Sequence, residues 1–110
     1  MIANQNQKEF GTLVEDRPAR DATDAELIKA IEVIVDSIQV DGAFDPSTWD
    51  GSLVGHVCKA ERAIGPGVRI QQQINLRLYA ATNYGIFNAD LHMGVDEIIA
   101  ALETIRGELS

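Results

Sequence analysis

Between Thr23 and Gly42 the apolar residues Leu27, Ile28, Ile31, Ile34, Val35 and Ile38 recur at helical spacing and fall on one stripe. Lys29, Glu32, Asp36 and Gln39 take the opposite side. Thr23 followed by Glu26 is a capping box: the hydroxyl accepts from the Glu26 N–H and the carboxylate from the Thr23 N–H. Asp41-Gly42 supplies the stop. A helix with so continuous an apolar stripe must bury it, so the rest of the chain has to build a core against it.

The C-terminal segment reads almost as clearly. Gly94 and Glu97 stand at N-cap and N3, and Met93 with Ile98 are spaced for a hydrophobic staple. Val95, Ile98, Ile99, Leu102, Ile105 and Leu109 form the stripe that follows. Between these two helices Asp45-Pro46 offers another start signal, with Asp50-Gly51 as an interruption. Leu53, Val57, Ala60 and Ile64 then follow a helical period up to Gly65-Pro66-Gly67.

Residues 68–84 carry two periods at once. Val68, Ile70, Ile74, Leu76 and Leu78 occupy even positions, as in a strand, while Ile70, Ile74, Leu78, Ala81 and Tyr84 fit a helix. Length and propensity favour helix, with Gly85 in the left-handed position at its end. The resulting expectation is an all-α fold: one four-helix domain over 23–110, with helices near 23–40, 50–64, 68–84 and 94–109. Residues 1–22, rich in Gln, Asn, Arg and Asp, are expected to be a flexible N-terminal tail or a docking arm using Phe10 and Leu13. The alternative is α+β, with a central hairpin at 53–79. With three Phe, two Tyr and one Trp in 110 residues, the core must be mostly Ile, Leu, Val and Ala.

Charge is sorted along the chain. Residues 21–50 hold Asp21, Asp24, Glu26, Glu32, Asp36, Asp41, Asp45 and Asp50 against Lys29 alone, a net −7. Lys59, Arg62, Arg69 and Arg77 against Glu61 make 51–80 a net +3, and the total for the chain is −8. Such a balance disfavours direct binding to nucleic acid or to an anionic membrane, and it favours basic partners. One cysteine, Cys58, excludes an internal disulfide, and no apolar stretch has the length of a membrane span or a signal peptide. The expected compartment is the cytoplasm.

Arg69, Gln73 and Arg77 recur every four residues and share a face under either period, so they are the candidate site for an anion or a partner. Set against this, the arginines can simply pair with Glu32, Asp36 or Glu103 on flanking helices. Asp24, Glu32 and Asp36 are the candidate acidic partner-facing surface. His56 and Cys58 lie two apart and lack the one-turn spacing of helical zinc ligands, and His92 beside Asp90 reads as a local cap. No phosphate loop, nucleophile elbow, Cys-x-x-Cys or His-Glu-x-x-His occurs, so no metal, cofactor or catalytic residue is expected.

The function expected from these features is that of a small acidic, non-catalytic interaction protein. Its partner is another protein, which can be a second copy meeting the Arg69/Arg77 row with its acidic helix. Two alternatives stand beside it. One is a phage-type inhibitor or nucleic-acid mimic that blocks a basic surface of a host nucleic-acid-binding complex. The other is a small-anion or nucleotide binder.

Overall fold

The capping box forms as the sequence dictates. Thr23 Oγ1 accepts from the Glu26 N–H at 3.2 Å, and Glu26 Oε1 accepts from the Thr23 N–H at 2.9 Å. Arg20 grips both oxygens of the same carboxylate at 2.8 and 2.7 Å. This guanidinium, with the Thr23 N–H, holds the Glu26 carboxyl at about 2. Helix α1 (Asp24–Gln39) then buries Leu27, Ala30, Ile31, Ile34, Val35 and Ile38.

The computed structural model describes residues 19–110, so the expected tail or arm, with Phe10 and Leu13, lies for 1–18 outside the described residues. The architecture is all-α. Short strands β1 (Arg20–Asp21) and β2 (Val68–Arg69) pair in parallel, with Arg20 opposite Val68 and Asp21 opposite Arg69. The long helices after α1 are α2 (Leu53–Ile64), α3 (Gln71–Thr82) and α5 (Val95–Leu109), with a single turn α4 (Ala89–His92) before the last. Helix α1 packs on α2 and α5, and α3 packs on α5 and α2. Leu27, Ile31, Ile34, Leu53, Ile70, Ile74, Leu78, Ile98, Leu102 and Ile105 are fully buried between them. The core is aliphatic, as the scarcity of aromatics requires.

Several local expectations are corrected. The hairpin alternative fails because 53–64 and 71–82 are both helical. Strand alternation would bury Leu76 together with Ile74 and Leu78, yet Leu76 is 59% exposed while the other two are fully buried. Asp45-Pro46 starts no helix. Asp45 Oδ1 accepts from the Ser47 N–H at 3.0 Å and the Ser47 hydroxyl at 2.6 Å, a local turn that competes with helix. The second helix starts instead at Ser52, whose hydroxyl accepts from the Gly55 N–H at 3.1 Å. Asn83, not Gly85, takes the left-handed C-cap of α3, at φ 71°. Gly85 serves a different purpose, since a Cβ there would lie 2.3 Å from Asn75 Oδ1 and push that side chain off the Ile86 N–H it accepts from.

Helix α3 has no side-chain cap of its own at Ile70. Glu61, from α2, supplies one: its carboxylate accepts from the Ile70 N–H at 2.8 Å, the Gln71 N–H at 3.2 Å and the Gln71 side chain at 3.0 Å. Burial alone would raise this carboxyl, but those three hydrogen bonds outweigh it and hold Glu61 below its usual range. Glu61 therefore stabilises the fold above the unfolded carboxyl range, near pH 4.3, and that contribution is lost as pH falls through its lower folded value. Glu61→Ala is expected to cost about 1–2 kcal/mol in urea denaturation at pH 7, and clearly less at pH 3.

Candidate partner-binding groove

The segment between α1 and α2 is a folded turn rather than a slack loop. The Asp45 N–H donates to the Gly51 carbonyl at 2.8 Å, the Thr48 N–H to the Asp45 carbonyl at 3.1 Å, and the Ser52 hydroxyl to the Trp49 carbonyl at 2.7 Å. Its base is anchored by His56, which is fully buried. The Ala43 carbonyl, 3.1 Å from Nε2, can only accept, so Nε2 carries the proton and Nδ1 accepts from the Ser37 hydroxyl at 2.6 Å. Burial lowers the His56 pKa despite the Ala43 bond, which keeps the ring neutral. Phe44 stacks on the same imidazole, with centroids 6.3 Å apart.

The turn projects Trp49 outward, 64% exposed. Across from it, α4 and the residues before it present Phe87 and Leu91, 68% and 77% exposed. These three side chains, with Pro46, Val54 and Asp90, line an open groove of about 380 Å³. Asp90 ties the two walls together, because its carboxylate oxygens lie 3.3 and 3.2 Å from the Leu53 N–H at the start of α2. Burial raises the Asp90 carboxyl, and the Leu53 N–H offsets part of that. Phe87 also borders a second hollow of about 260 Å³ with Gln72 and Asn75 of α3. Leu76 and Tyr79, each close to 60% exposed, continue that face of α3 at helical spacing.

The residues singled out by sequence are spread over different tasks. Arg69 lies on β2 and pairs with Asp21 at 3.2 Å. Ile70 breaks the strand from the helix, so the period that linked Arg69 to Gln73 and Arg77 does not run through. Gln73 clasps the Ala22 backbone, accepting from its N–H at 2.8 Å and donating to its carbonyl at 3.3 Å. Arg77 is half-buried on α3. Asp24, Glu32 and Asp36 are all exposed on α1. Glu32 lies 3.8 Å from Arg106, which also holds Glu103 at 2.7 Å, so two of the three acids expected to pair with Arg69 and Arg77 have a different cation.

The start of α5 is held by Gly94 and Glu97, not by His92, which stacks on Tyr84 at 4.6 Å, while Asp90 serves α2. Burial pushes the half-buried Cys58 thiol up, with the nearby Glu61 carboxylate adding to it, which makes the thiolate scarcer. Among the described residues no group of three or more His, Cys, Asp or Glu side chains is placed to hold a metal ion. Likewise, none of the described helices is long and apolar enough to cross a membrane.

Sequence reasoning missed the groove. Trp49, Phe87 and Leu91 fall outside every apolar stripe of the sequence, and no local signal marks them as one exposed cluster. A comparison with protein-family models, curated proteins and solved structures finds no match for this chain.

Proposed function

We propose that this chain is a small, non-catalytic interaction protein of the cytoplasm that acts by binding another protein through the Trp49–Phe87–Leu91 groove. The observation that carries this reading is a patch of large apolar side chains held out to solvent on a hydrogen-bonded framework. Single exposed apolar residues are ordinary, but a contiguous set around a concavity is how partner surfaces look. Trp and Phe are also the residue types that anchor such contacts. The framework is built before any partner arrives, so little ordering cost is left to be met on binding.

Self-association through the Arg69/Arg77 row has less to draw on, because Arg69 is engaged with Asp21 and Gln73 with Ala22. The nucleic-acid-mimic reading draws on exposed Asp24, Glu32 and Asp36, a row that Arg106 interrupts at Glu32. The groove is the stronger basis for both reasons.

The test compares proteins retained from the native source by the wild-type chain, by Phe87→Ser/Leu91→Ser, and by Arg69→Ala/Arg77→Ala. Both groove side chains are exposed, so the first variant should unfold within a few degrees of wild type. A specific partner should be retained by wild type and by the arginine variant, and lost about tenfold or more by the groove variant. Equal retention by wild type and groove variant, or loss on the arginine variant alone, overturns the reading.

A further inference from the structure

Among the described residues, His56 is the only side chain outside residues 40–52 that hydrogen-bonds to that segment, through Nε2 to the Ala43 carbonyl. The bonds of Asp45 to Gly51, Thr48 to Asp45 and Ser52 to Trp49 close the turn on itself. Residues 40–50 are exposed apart from half-buried Ala43 and Phe44, so lifting them uncovers little apolar surface. Ser37 and His56 stand instead on α1 and α2, whose apolar stripes are locked in the core. A fully buried imidazole thus joins a light cover to two fixed helices.

We propose that His56 is a pH-sensitive latch: a second proton on its ring releases residues 43–52 from α2 while the helices stay folded. Nδ1 takes that proton, and in the neutral ring it is the acceptor for the Ser37 hydroxyl. Protonation turns Nδ1 into a donor and places a full charge under the turn. The groups around the ring neutralise that charge poorly. Helix α1 offers the Ser37 hydroxyl, the turn offers the Ala43 and Gly51 carbonyls and the Phe44 ring, and α2 adds Lys59, of the same sign. The carboxylate that acts on the ring is Asp90, which is already bonded to the Leu53 N–H. Lifting the turn lets water take up the charge at little cost in buried surface. Trp49 rides on the turn and forms one wall of the groove, so the open turn dismantles that wall. The latch itself depends on no partner.

Opening takes up a proton, so it should grow as pH falls below the free histidine value of about 6.5, until the ring titrates under the closed turn as well. Hydrogen exchange of the free full-length chain between pH 7.5 and 5 reads this, with each rate divided by the intrinsic rate at that pH. The Asp45 and Gly55 amides report the turn, the first bonded to the Gly51 carbonyl and the second to the Ser52 hydroxyl. The amides of Leu102 and Ile105, buried on α5, report global unfolding. The turn amides should be less protected than those of α5 at every pH. They should lose protection several-fold or more across the range, by no more than about tenfold per pH unit. His56→Gln should make their profile flat, whereas Asp90→Asn and His92→Gln should keep the slope. Turn protection that is constant with pH while the α5 amides lose theirs overturns the latch, because the ring is then protonated only by global unfolding. Turn protection equal to that of α5 throughout overturns it too, as does a slope that survives His56→Gln. Comparing the turn with α5 in the wild-type chain decides the matter without any variant. No partner enters the experiment, so the latch can fail while the groove reading stands, and the groove reading can fail on capture while the latch stands.

Discussion

Gly55→Ala should destabilise this protein by about 2–3 kcal/mol, lowering Tm by roughly 10–20 °C. Helix propensity alone gives the opposite sign, because replacing glycine by alanine inside a helix gains up to about 1 kcal/mol. Packing decides the matter. A Cβ at Gly55 would lie 2.1 Å from the Trp49 carbonyl oxygen and 2.8 Å from that of Asp50. Both are backbone atoms of the hydrogen-bonded turn, so neither can step aside as a flexible side chain would. The turn would have to lift from α2, moving Trp49 and weakening the Ser52 cap on the Gly55 N–H. Gly107, in α5, is the control: a Cβ there meets nothing within 4 Å. Gly107→Ala should follow propensity and stabilise by about 0.5–1 kcal/mol. Thermal unfolding of the two variants side by side separates steric demand from propensity.

His56→Ala should cost about 3 kcal/mol or more. It removes a fully buried ring, leaving a cavity beside Phe44, and strips the Ala43 carbonyl and the Ser37 hydroxyl of their partners. The same residue sets a pH dependence. Its folded pKa lies below the unfolded value of about 6.5, so below that pH the unfolded chain binds the extra proton first. Stability should fall as pH drops from about 6.5 toward the lower folded pKa, with a slope of at most about 1.4 kcal/mol per pH unit. The carboxyls of Glu26 and Glu61 act in a separate, more acidic window, since their folded values are also depressed. His56→Gln should flatten the upper window and leave the acidic one in place. Urea denaturation between pH 7.5 and 5 measures it; an unchanged slope in His56→Gln would assign the pH dependence elsewhere.

How legible the molecule was depends on how far apart the interacting residues lie in sequence. Helices α1 and α5 were readable because their signals are local: Thr23 with Glu26, Gly94 with Glu97, and an apolar stripe after each. The α2–α3 junction was not, because the cap on α3 comes from Glu61, nine residues before Ile70. Glu61 looked like a stray acid in a basic stretch, and only the folded chain brings it to an uncapped helix start. Gln73 is a similar case, its amide spent on the Ala22 backbone fifty-one residues away. The dual periodicity of 68–84 had a physical source, since Val68–Arg69 is extended and Gln71–Thr82 is helical. A face argument spanning both therefore joined Arg69 to Gln73 across a break at Ile70. The groove was the least legible feature. Trp49 and Leu91 come from separate turns, held together where Asp90 meets the Leu53 N–H.

On the groove reading, partners bind around Trp49, Phe87 and Leu91 and not at the arginine row or the acidic face of α1. Hydrogen exchange of the full chain, free and bound to a captured partner, tests it most directly. New protection is expected in residues 46–54 and 86–92, with 24–36 and 69–77 unchanged. Protection confined to 24–36 or 69–77, with the groove segments exchanging as in the free chain, would contradict it.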